Sequence, residues 1–170
     1  MTVKLKVPYL SQLDNAIAPY ATCNLTSVAM CLGYFGYPTI DKDGTQLEDK
    51  LSNYCFKNGI VRGEPLGLNR LIREWGYKDD FYADASWSAA KKWLEMGNPL
   101  IAHGWFTRSG HIIVICGYND KGWIVNDPFG EWYSQGYDTT VSGEGLTYSY
   151  GMMERLCGSS GDLWLHFVSK

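Results

Sequence analysis

The sequence predicts an α+β fold, with helices in the N-terminal part of the chain and an antiparallel sheet in the C-terminal part. Two observations support this prediction. Apolar residues recur at helical spacing in three segments that precede Gly97, and from Pro99 onward the pattern changes to short apolar runs of strand length. Helices that precede the strands, instead of alternating with them, are typical of the α+β class.

The clearest helix is predicted to begin at Cys23, with Gly33 and Gly36 as stop signals after it. Its apolar face is formed by Leu25, Val28, Ala29 and Leu32. Two further helices are predicted over Leu66–Trp75 and Ser86–Met96, and Ser86 suits the N-cap of the latter. The polar segment between the first two helices is hard to assign, although Leu47, Leu51 and Tyr54 have the spacing of a helical face.

The predicted strands are Leu100–Trp105, His111–Tyr118, Gly122–Asn126 and Leu163–Val168. A turn at Asn119–Gly122 makes the second and third of them antiparallel neighbours. Pro8 makes Val3–Leu10 better suited to an edge strand or extended arm than to a central strand. Ser134–Tyr148 is rich in Gly and Thr and is predicted to be a long loop. Because no repeat or linker divides the chain, we expect one domain over residues 1–170.

Composition excludes several classes of function. The formal net charge is -3 and there is no basic run, so a nucleic-acid partner is not expected. No apolar stretch is long enough to span a membrane, and no secretory signal follows the first residues, so we expect synthesis in the cytoplasm. The five cysteines are odd in number and form no CxxC pair, which argues against a disulfide framework and a structural zinc site. We expect a monomer that needs no cofactor and no metal.

Cys23 is the first candidate for chemistry. A thiol at the start of a helix lies near unpaired backbone N–H groups, whose partial positive charge favours the reactive thiolate. A single cysteine is more often a small buried core residue, as is expected for Cys31 or Cys116. The choice between these two interpretations depends on the residues that accompany Cys23.

His111 and Asp127 are the proposed companions of Cys23. His111 opens an otherwise apolar strand, where it is held rigidly yet remains reachable, so it is a candidate general base. Asp127 ends the following strand and can accept a hydrogen bond from the imidazole, which orients the ring. Asn126 is expected to point to the opposite face. An Asx-Pro turn is the alternative explanation for the aspartate.

Gln12 completes the set, because its carboxamide N–H can donate to the oxyanion that forms when Cys23 attacks a carbonyl. In chain order the residues are Gln, Cys at a helix start, His on a strand and Asp after the next strand. The segments VPYLSQLDN, ATCNLTSVAMCLGYFG, SGHIIVICGYN and GWIVNDPFG carry this order. They resemble the bacteriocin-processing-peptidase-like family of papain-like cysteine peptidases, from about Val7 to Gly130.

The resemblance implies a papain-like fold and a role for each residue. Gln12 would be the oxyanion donor, Cys23 the nucleophile, His111 the base and Asp127 the residue that orients it. Asn24 is one departure, because this family often has Gly after the cysteine. The implied reaction is amide hydrolysis through a thioester.

The substrate and the fate of the thioester remain open at this point. The resemblance suggests peptidoglycan cross-peptides, as for a phage or bacterial lytic enzyme. Resolution of the thioester by an amine would instead make the protein an acyl transferase, and a buried, unreactive Cys23 would indicate a binding module. Trp105 and Trp132 are candidates for a substrate groove. His103 and His166 are expected to be structural, with His103 as the alternative base.

Overall fold

The computed structural model describes all residues from 1 to 170 and contains five α-helices and nine β-strands. The helices are α1 (Cys23–Tyr34), α2 (Leu47–Asn58), α3 (Pro65–Glu74), α4 (Trp87–Glu95) and α5 (Tyr150–Cys157). The strands are β1 (Val3–Lys4), β2 (Lys78–Tyr82), β3 (Leu100–Gly104), β4 (His111–Tyr118), β5 (Gly122–Asn126), β6 (Glu131–Tyr133), β7 (Gly136–Asp138), β8 (Leu146–Ser149) and β9 (Leu165–Ser169). No helix combines the length and the apolar character needed to cross a membrane.

One antiparallel sheet organises the molecule. Its strand order is β2-β9-β3-β4-β5-β8, and β1 pairs with the end of β4. Strands β6 and β7 form a separate hairpin. The predicted α+β class and the antiparallel pairing of β4 with β5 are therefore confirmed.

The two faces of this sheet carry two apolar cores. Side chains alternate along a strand, so Ile112 and Val114 of β4 pack on the side of α1, α2 and α3. Ile113 and Ile115 pack on the opposite side, against α4 and α5. All eight residues of β4 are buried, which explains why this strand reads as a continuous apolar run.

The structure corrects several predictions of local structure. Strand β2 lies between α3 and α4, so the helices do not all precede the sheet. This strand was not predicted, because its sequence KDDFY is too polar to indicate a strand. Helix α5 was not predicted. Only Val3–Lys4 of the predicted N-terminal strand pairs in the sheet, and the predicted loop at 134–148 contains β7 and most of β8. The last strand, β9, lies inside the sheet between β2 and β3.

Close backbone contact at Gly117 gives a test of how β1 joins the sheet. A Cβ at Gly117 would lie 1.9 Å from the Val3 carbonyl oxygen, whereas one at Gly151 would meet only the Arg155 guanidinium, at 3.5 Å. We expect Gly117→Ala to lower the free energy of unfolding by about 1–3 kcal/mol, because the added methyl group overpacks the β1–β4 contact. Urea unfolding of the variant measures this change. Gly151→Ala is the control, and equal stability of the two variants would contradict the expected clash.

Candidate active site

A cleft of about 570 Å³ lies at the N-terminal end of α1, beside the start of β4. Gln12, Cys23, Asn24 and His111 all line it, although they are far apart in the sequence. The fold brings them together because α1 packs against β4, and the Ser27 hydroxyl on α1 donates a hydrogen bond to the Ile112 carbonyl. The cleft is therefore formed where the helix and the central strand meet.

Cys23 is the first residue of α1, as the sequence predicted. It is partly exposed at the cleft, whereas the other four cysteines are buried. The backbone N–H groups of Cys23 and Asn24 belong to the first turn of the helix and have no acceptor within the chain. An anion beside the sulfur would therefore meet unpaired donors and the positive end of the helix dipole.

His111 is the first residue of β4 and is only 6% exposed. Its Nε2 lies 2.8 Å from Oδ1 of Asp127, so Nδ1 is the ring nitrogen left for the Cys23 thiol. Burial lowers the pKa of His111, but the charge and hydrogen bond of Asp127, followed by the hydrogen bond with Cys23, raise it far more. The net result is a pKa raised well above the ordinary histidine value, which favours the imidazolium form.

Asp127 is fully buried and its carboxylate is held from both sides. Besides His111, Oδ1 accepts a hydrogen bond from the Phe129 backbone N–H at 3.1 Å. Oδ2 accepts hydrogen bonds from the hydroxyls of Tyr137 and Tyr148, at 2.8 and 2.7 Å. These donors compensate for the removal of the carboxylate from water.

The two tyrosines were not found from the sequence, because they lie in the segment predicted to be a loop. Burial, followed by the nearby charge of Asp127, raises the pKa of both Tyr137 and Tyr148 strongly. Their hydroxyls therefore stay protonated and remain hydrogen-bond donors. A signal that could have found Tyr148 is the alternation of Leu146, Tyr148 and Tyr150 with polar residues, whereas the sequence around Tyr137 shows no such alternation.

Asn126 points away from the imidazole, as strand alternation predicted. Its Nδ2 donates to the Val7 carbonyl at 3.2 Å, and its Oδ1 accepts from the Gly145 N–H at 2.9 Å. These contacts tie the N-terminal arm and the segment before β8 to the end of β5. Asn126 thus holds the backbone that carries Asp127 and does not itself contact His111.

Gln12 lies in a short 3₁₀ helix and is 2% exposed. Its Nε2 donates one hydrogen bond to the Pro19 carbonyl at 3.0 Å, so the second amide hydrogen remains available beside the cleft. Its backbone N–H donates to the Pro128 carbonyl at 2.9 Å, next to Asp127. Asn24 occupies the position where this family often has Gly after the cysteine. Its Oδ1 accepts a hydrogen bond from the Leu25 N–H at 2.8 Å.

The two tryptophans differ in position. Trp105 is 67% exposed and lines the cleft. Trp132 does not line it, because its indole N–H donates to the Phe106 carbonyl at 2.8 Å and its ring packs on the α4 and α5 side of the sheet. The structure therefore brings Gln12, Cys23 and His111 together with Trp105, but leaves Trp132 outside.

No group of three or more His, Cys, Asp or Glu side chains is arranged to hold a metal ion. His103, the alternative base, lines the cleft, but its Nε2 is within hydrogen-bond distance of His166 Nε2, at 2.9 Å. The imidazole of His111 lines the cleft together with the Cys23 thiol, and the thiol contributes to the raised pKa of His111. The arrangement offers a thiol, an imidazole and hydrogen-bond donors, which is the equipment for nucleophilic attack on a carbonyl.

A cysteine at the N-terminus of a helix, facing a histidine on an antiparallel sheet, is the arrangement of the papain-like cysteine peptidases. The model of the Peptidase_C39 like family matches residues 4–157. The chain therefore belongs to this family, and it is a papain-like cysteine peptidase. A comparison with curated protein sequences finds no match.

Solved structures share the fold at low sequence identity. A putative C39-like peptidase from Bacillus anthracis is 20% identical, with a TM-score of 0.68 over 100% of this chain and 98% of that one. A double glycine motif protease from an AMS/PCAT transporter, in complex with the leader peptide, is 20% identical with a TM-score of 0.60 over 98% and 94% of the two chains. The peptidase domain of Streptococcus ComA is 14% identical, with a TM-score of 0.64 over 96% and 98%.

Cysteine reactivity tests the arrangement around the thiol. We expect iodoacetamide to alkylate Cys23 selectively in the native protein, because burial raises the pKa of the thiols of Cys31, Cys55, Cys116 and Cys157. Mass spectrometry of the labelled peptides measures the modification at each position. Labelling of all five cysteines together, and only on unfolding, would contradict this prediction.

The pH dependence of stability tests the His111–Asp127 pair. The pKa of His111 is raised from 6.5 to about 10, so between these values the folded protein keeps a proton that the unfolded chain has lost. The stabilisation that this proton gives the folded protein is complete below pH 6.5, and it is lost as the pH rises through about 10. We expect the stability advantage of the wild type over His111→Ala to fall across this window, by at most about 1.4 kcal/mol per pH unit.

Urea unfolding of the wild type and His111→Ala across the window measures this advantage. Groups that titrate in both proteins, such as lysines and tyrosines, cancel in the difference. An advantage that is constant with pH, or that grows as the pH rises, would show that the proton is not held in the folded state.

Proposed function

We propose that the protein hydrolyses peptide bonds with a triad of Cys23, His111 and Asp127. One observation carries this proposal: the thiol at the start of α1 and the imidazole of His111 line the same cleft, and Nε2 of that imidazole is hydrogen-bonded to a buried carboxylate. The chain's membership in the cysteine peptidase family supports it. Each of the three side chains then has a distinct task in the reaction.

In the first half of the reaction, the thiolate of Cys23 attacks the carbonyl carbon of the peptide bond. The carbon–sulfur bond forms while the carbonyl π electrons move to oxygen and give a tetrahedral oxyanion. When this intermediate collapses, the carbon–nitrogen bond breaks and His111 gives its proton to the departing amine. The raised pKa of His111 supplies the imidazolium that this step needs.

In the second half, water resolves the thioester. His111 is now neutral and takes a proton from the attacking water, and a second oxyanion forms. Its collapse releases the carboxylic acid and returns the thiolate and the imidazolium. The hydrogen bond of Asp127 to Nε2 orients the imidazole, so that Nδ1 is the nitrogen left for the sulfur in both halves.

Two donors are assigned to the oxyanion. One is the backbone N–H of Cys23, which has no acceptor within the chain. The other is Nε2 of Gln12, which has one hydrogen not used by the Pro19 carbonyl. Removal of a single donor of this kind typically costs a factor of about 10²–10³ in rate.

The proposed substrate is a peptide chain that lies in the cleft, with Trp105 as a contact at its rim. The leader peptide in one of the structural neighbours supports a peptide as the substrate class. The sequence resemblance favours peptidoglycan cross-peptides and a lytic role as the specific case. The absence of a basic run in the chain is compatible with uncharged or positively charged peptides.

Variants of the triad test the mechanism. We expect Cys23→Ala and His111→Ala each to lower kcat/KM by at least about 10³-fold, because the members of a triad act as a unit. Cys55→Ala is the matched control, since this buried cysteine lies on α2 outside the cleft, and it should keep wild-type activity. Full activity of Cys23→Ala would refute the mechanism.

The wild-type protein and the same variants also test which substrate is cleaved and whether water or an amine resolves the thioester. Zymography on cell walls, with mass spectrometry of the released fragments, detects new amine and carboxyl termini. Their absence removes peptidoglycan as the substrate, and leader-type peptides are then assayed in the same way. An added amine nucleophile distinguishes hydrolysis, which gives an acid, from acyl transfer, which gives a new amide.

A further inference from the structure

The carboxylate of Asp127 is shared between the imidazole of the active site and two tyrosines that lie outside the cleft. Its Oδ1 lies 2.8 Å from Nε2 of His111. Its Oδ2 accepts hydrogen bonds from the hydroxyls of Tyr137 and Tyr148, at 2.8 and 2.7 Å. The imidazole therefore contacts only the first oxygen of this carboxylate, and the tyrosines contact only the second.

The hairpin of β6 and β7 holds both tyrosine hydroxyls in place. Tyr137 is itself a residue of β7. On β6, the backbone N–H of Trp132 donates to the hydroxyl oxygen of Tyr148 at 3.0 Å, and the indole N–H donates to the Phe106 carbonyl at 2.8 Å. Trp132 thus anchors the hairpin and orients Tyr148, although its ring does not line the cleft.

The direction of each hydrogen bond in this group is fixed. A backbone N–H only donates, so the Tyr148 oxygen accepts from Trp132 and its hydrogen is left for Oδ2 of Asp127. The Tyr137 hydroxyl makes no side-chain hydrogen bond other than the one to Oδ2. Burial, followed by the charge of Asp127, raises the pKa of both tyrosines strongly, so both hydroxyls keep the hydrogen that they donate.

The charged and titratable neighbours of this group are few. Burial lowers the pKa of His111, while Asp127 and then Cys23 raise it, to about 10 on balance. The only ion pair of Asp127 is the one with His111. Tyr9 donates to the backbone carbonyl of Asp127, not to its carboxylate, and Glu131 on β6 raises the pKa of Tyr148 after burial and Asp127.

The two hydroxyls weaken the attraction between Asp127 and the proton of His111. A hydrogen bond to a carboxylate stabilises its charged form, so the carboxylate gains less from a nearby imidazolium. Each hydroxyl also directs the positive end of its dipole toward the carboxylate and the imidazolium beyond it. His111 therefore releases its proton more readily than it would beside a carboxylate without these donors.

We propose that Tyr137 and Tyr148 are positioning residues that set the acid strength of His111, by drawing the negative charge of Asp127 toward Oδ2. Neither tyrosine lines the cleft, so neither contacts a substrate there. The proposal rests on the proposed function, in which His111 gives its proton to the departing amine. It adds two residues that act on the triad only through Asp127.

Titration of His111 tests this role without any substrate. The chain has three histidines, so ¹⁵N spectra of the imidazole rings are simple, and His111→Ala identifies the signals of His111 by their loss. We expect Tyr137→Phe and Tyr148→Phe each to raise the pKa of His111 by about 0.5–1 pH unit, because a donor to the carboxylate is lost while the ring remains. An unchanged or lowered pKa in both variants would overturn the proposal.

Tyr34→Phe is the matched control. Tyr34 is the last residue of α1, at the opposite end from Cys23, and its hydroxyl donates to the Gly97 carbonyl at 2.7 Å. This variant loses a hydrogen bond of the same kind away from the active site and should leave the titration of His111 unchanged. Thermal unfolding measures the stability of all three variants. Lower stability of Tyr137→Phe and Tyr148→Phe without any change in the titration would show a structural role alone and contradict the proposal.

A fluorotyrosine introduced at position 148 alone changes the hydrogen bond in the opposite direction. Fluorine beside the hydroxyl makes it a stronger acid and a stronger donor, and the hydroxyl itself is retained. We expect the pKa of His111 to fall in this protein. The measurement therefore decides the question even where a phenylalanine variant does not fold, and a rise in the pKa of His111 would overturn the proposal.

Peptide cleavage separates this inference from the proposed function. With a peptide that the wild type cleaves, we expect Tyr137→Phe and Tyr148→Phe to lower kcat by about 3- to 10-fold with KM unchanged, since a weaker acid protonates the amine more slowly. The alkaline limb of kcat/KM should move to higher pH together with the pKa of His111. A wild type that cleaves no peptide contradicts the proposed function, whereas cleavage combined with an unchanged titration in the variants contradicts the role of the tyrosines alone.

Discussion

The hydrogen bond between His111 and Asp127 is the contact on which the rest of the site depends. It joins the start of β4 to the turn after β5, and both residues are almost fully removed from solvent. In such surroundings an unpaired carboxylate would be very costly, so the imidazole, two tyrosine hydroxyls and a backbone N–H must all be in place. The segments that carry these donors are thereby ordered around one buried charge.

This constraint explains why residues far from the chemistry are arranged as they are. Tyr9 donates to the backbone carbonyl of Asp127 and accepts from the Gly143 N–H. A Cβ at Gly143 would lie 1.9 Å from that same carbonyl oxygen, so the close approach of the two segments requires glycine. The loop before β8 is thus packed directly against the aspartate, and Gly143 is required there by close contact.

The sequence predicted the parts of the molecule that depend on local pattern. Helix α1 has regular apolar spacing, and β4 and β5 are short apolar runs joined by a turn. The turn predicted that Asp127 lies beside His111, and the family resemblance added Cys23 and Gln12 to the same site. Strand β2 and the two tyrosines were missed because their positions depend on partners distant in the chain. Asp79 in KDDFY looks like a surface residue, and only its pairing with His166 explains why it is buried. Trp132 is predicted to line the substrate groove because it lies near the proposed site in the sequence. Closeness in sequence does not indicate on which side of the sheet a ring packs.

The two His–Asp pairs of this protein show how the same contact can serve different purposes. In both, an imidazole nitrogen lies within 2.8 Å of a buried carboxylate oxygen, so the carboxylate fixes the ring and its tautomer. What differs is the group on the other nitrogen. His111 shares its cleft with a thiol at the positive end of a helix, where the proposed function gives it the task of preparing a nucleophile. His166 faces a second imidazole, that of His103, which lines the cleft. The neighbour of the ring, and not the His–Asp contact itself, therefore decides what such a pair can do.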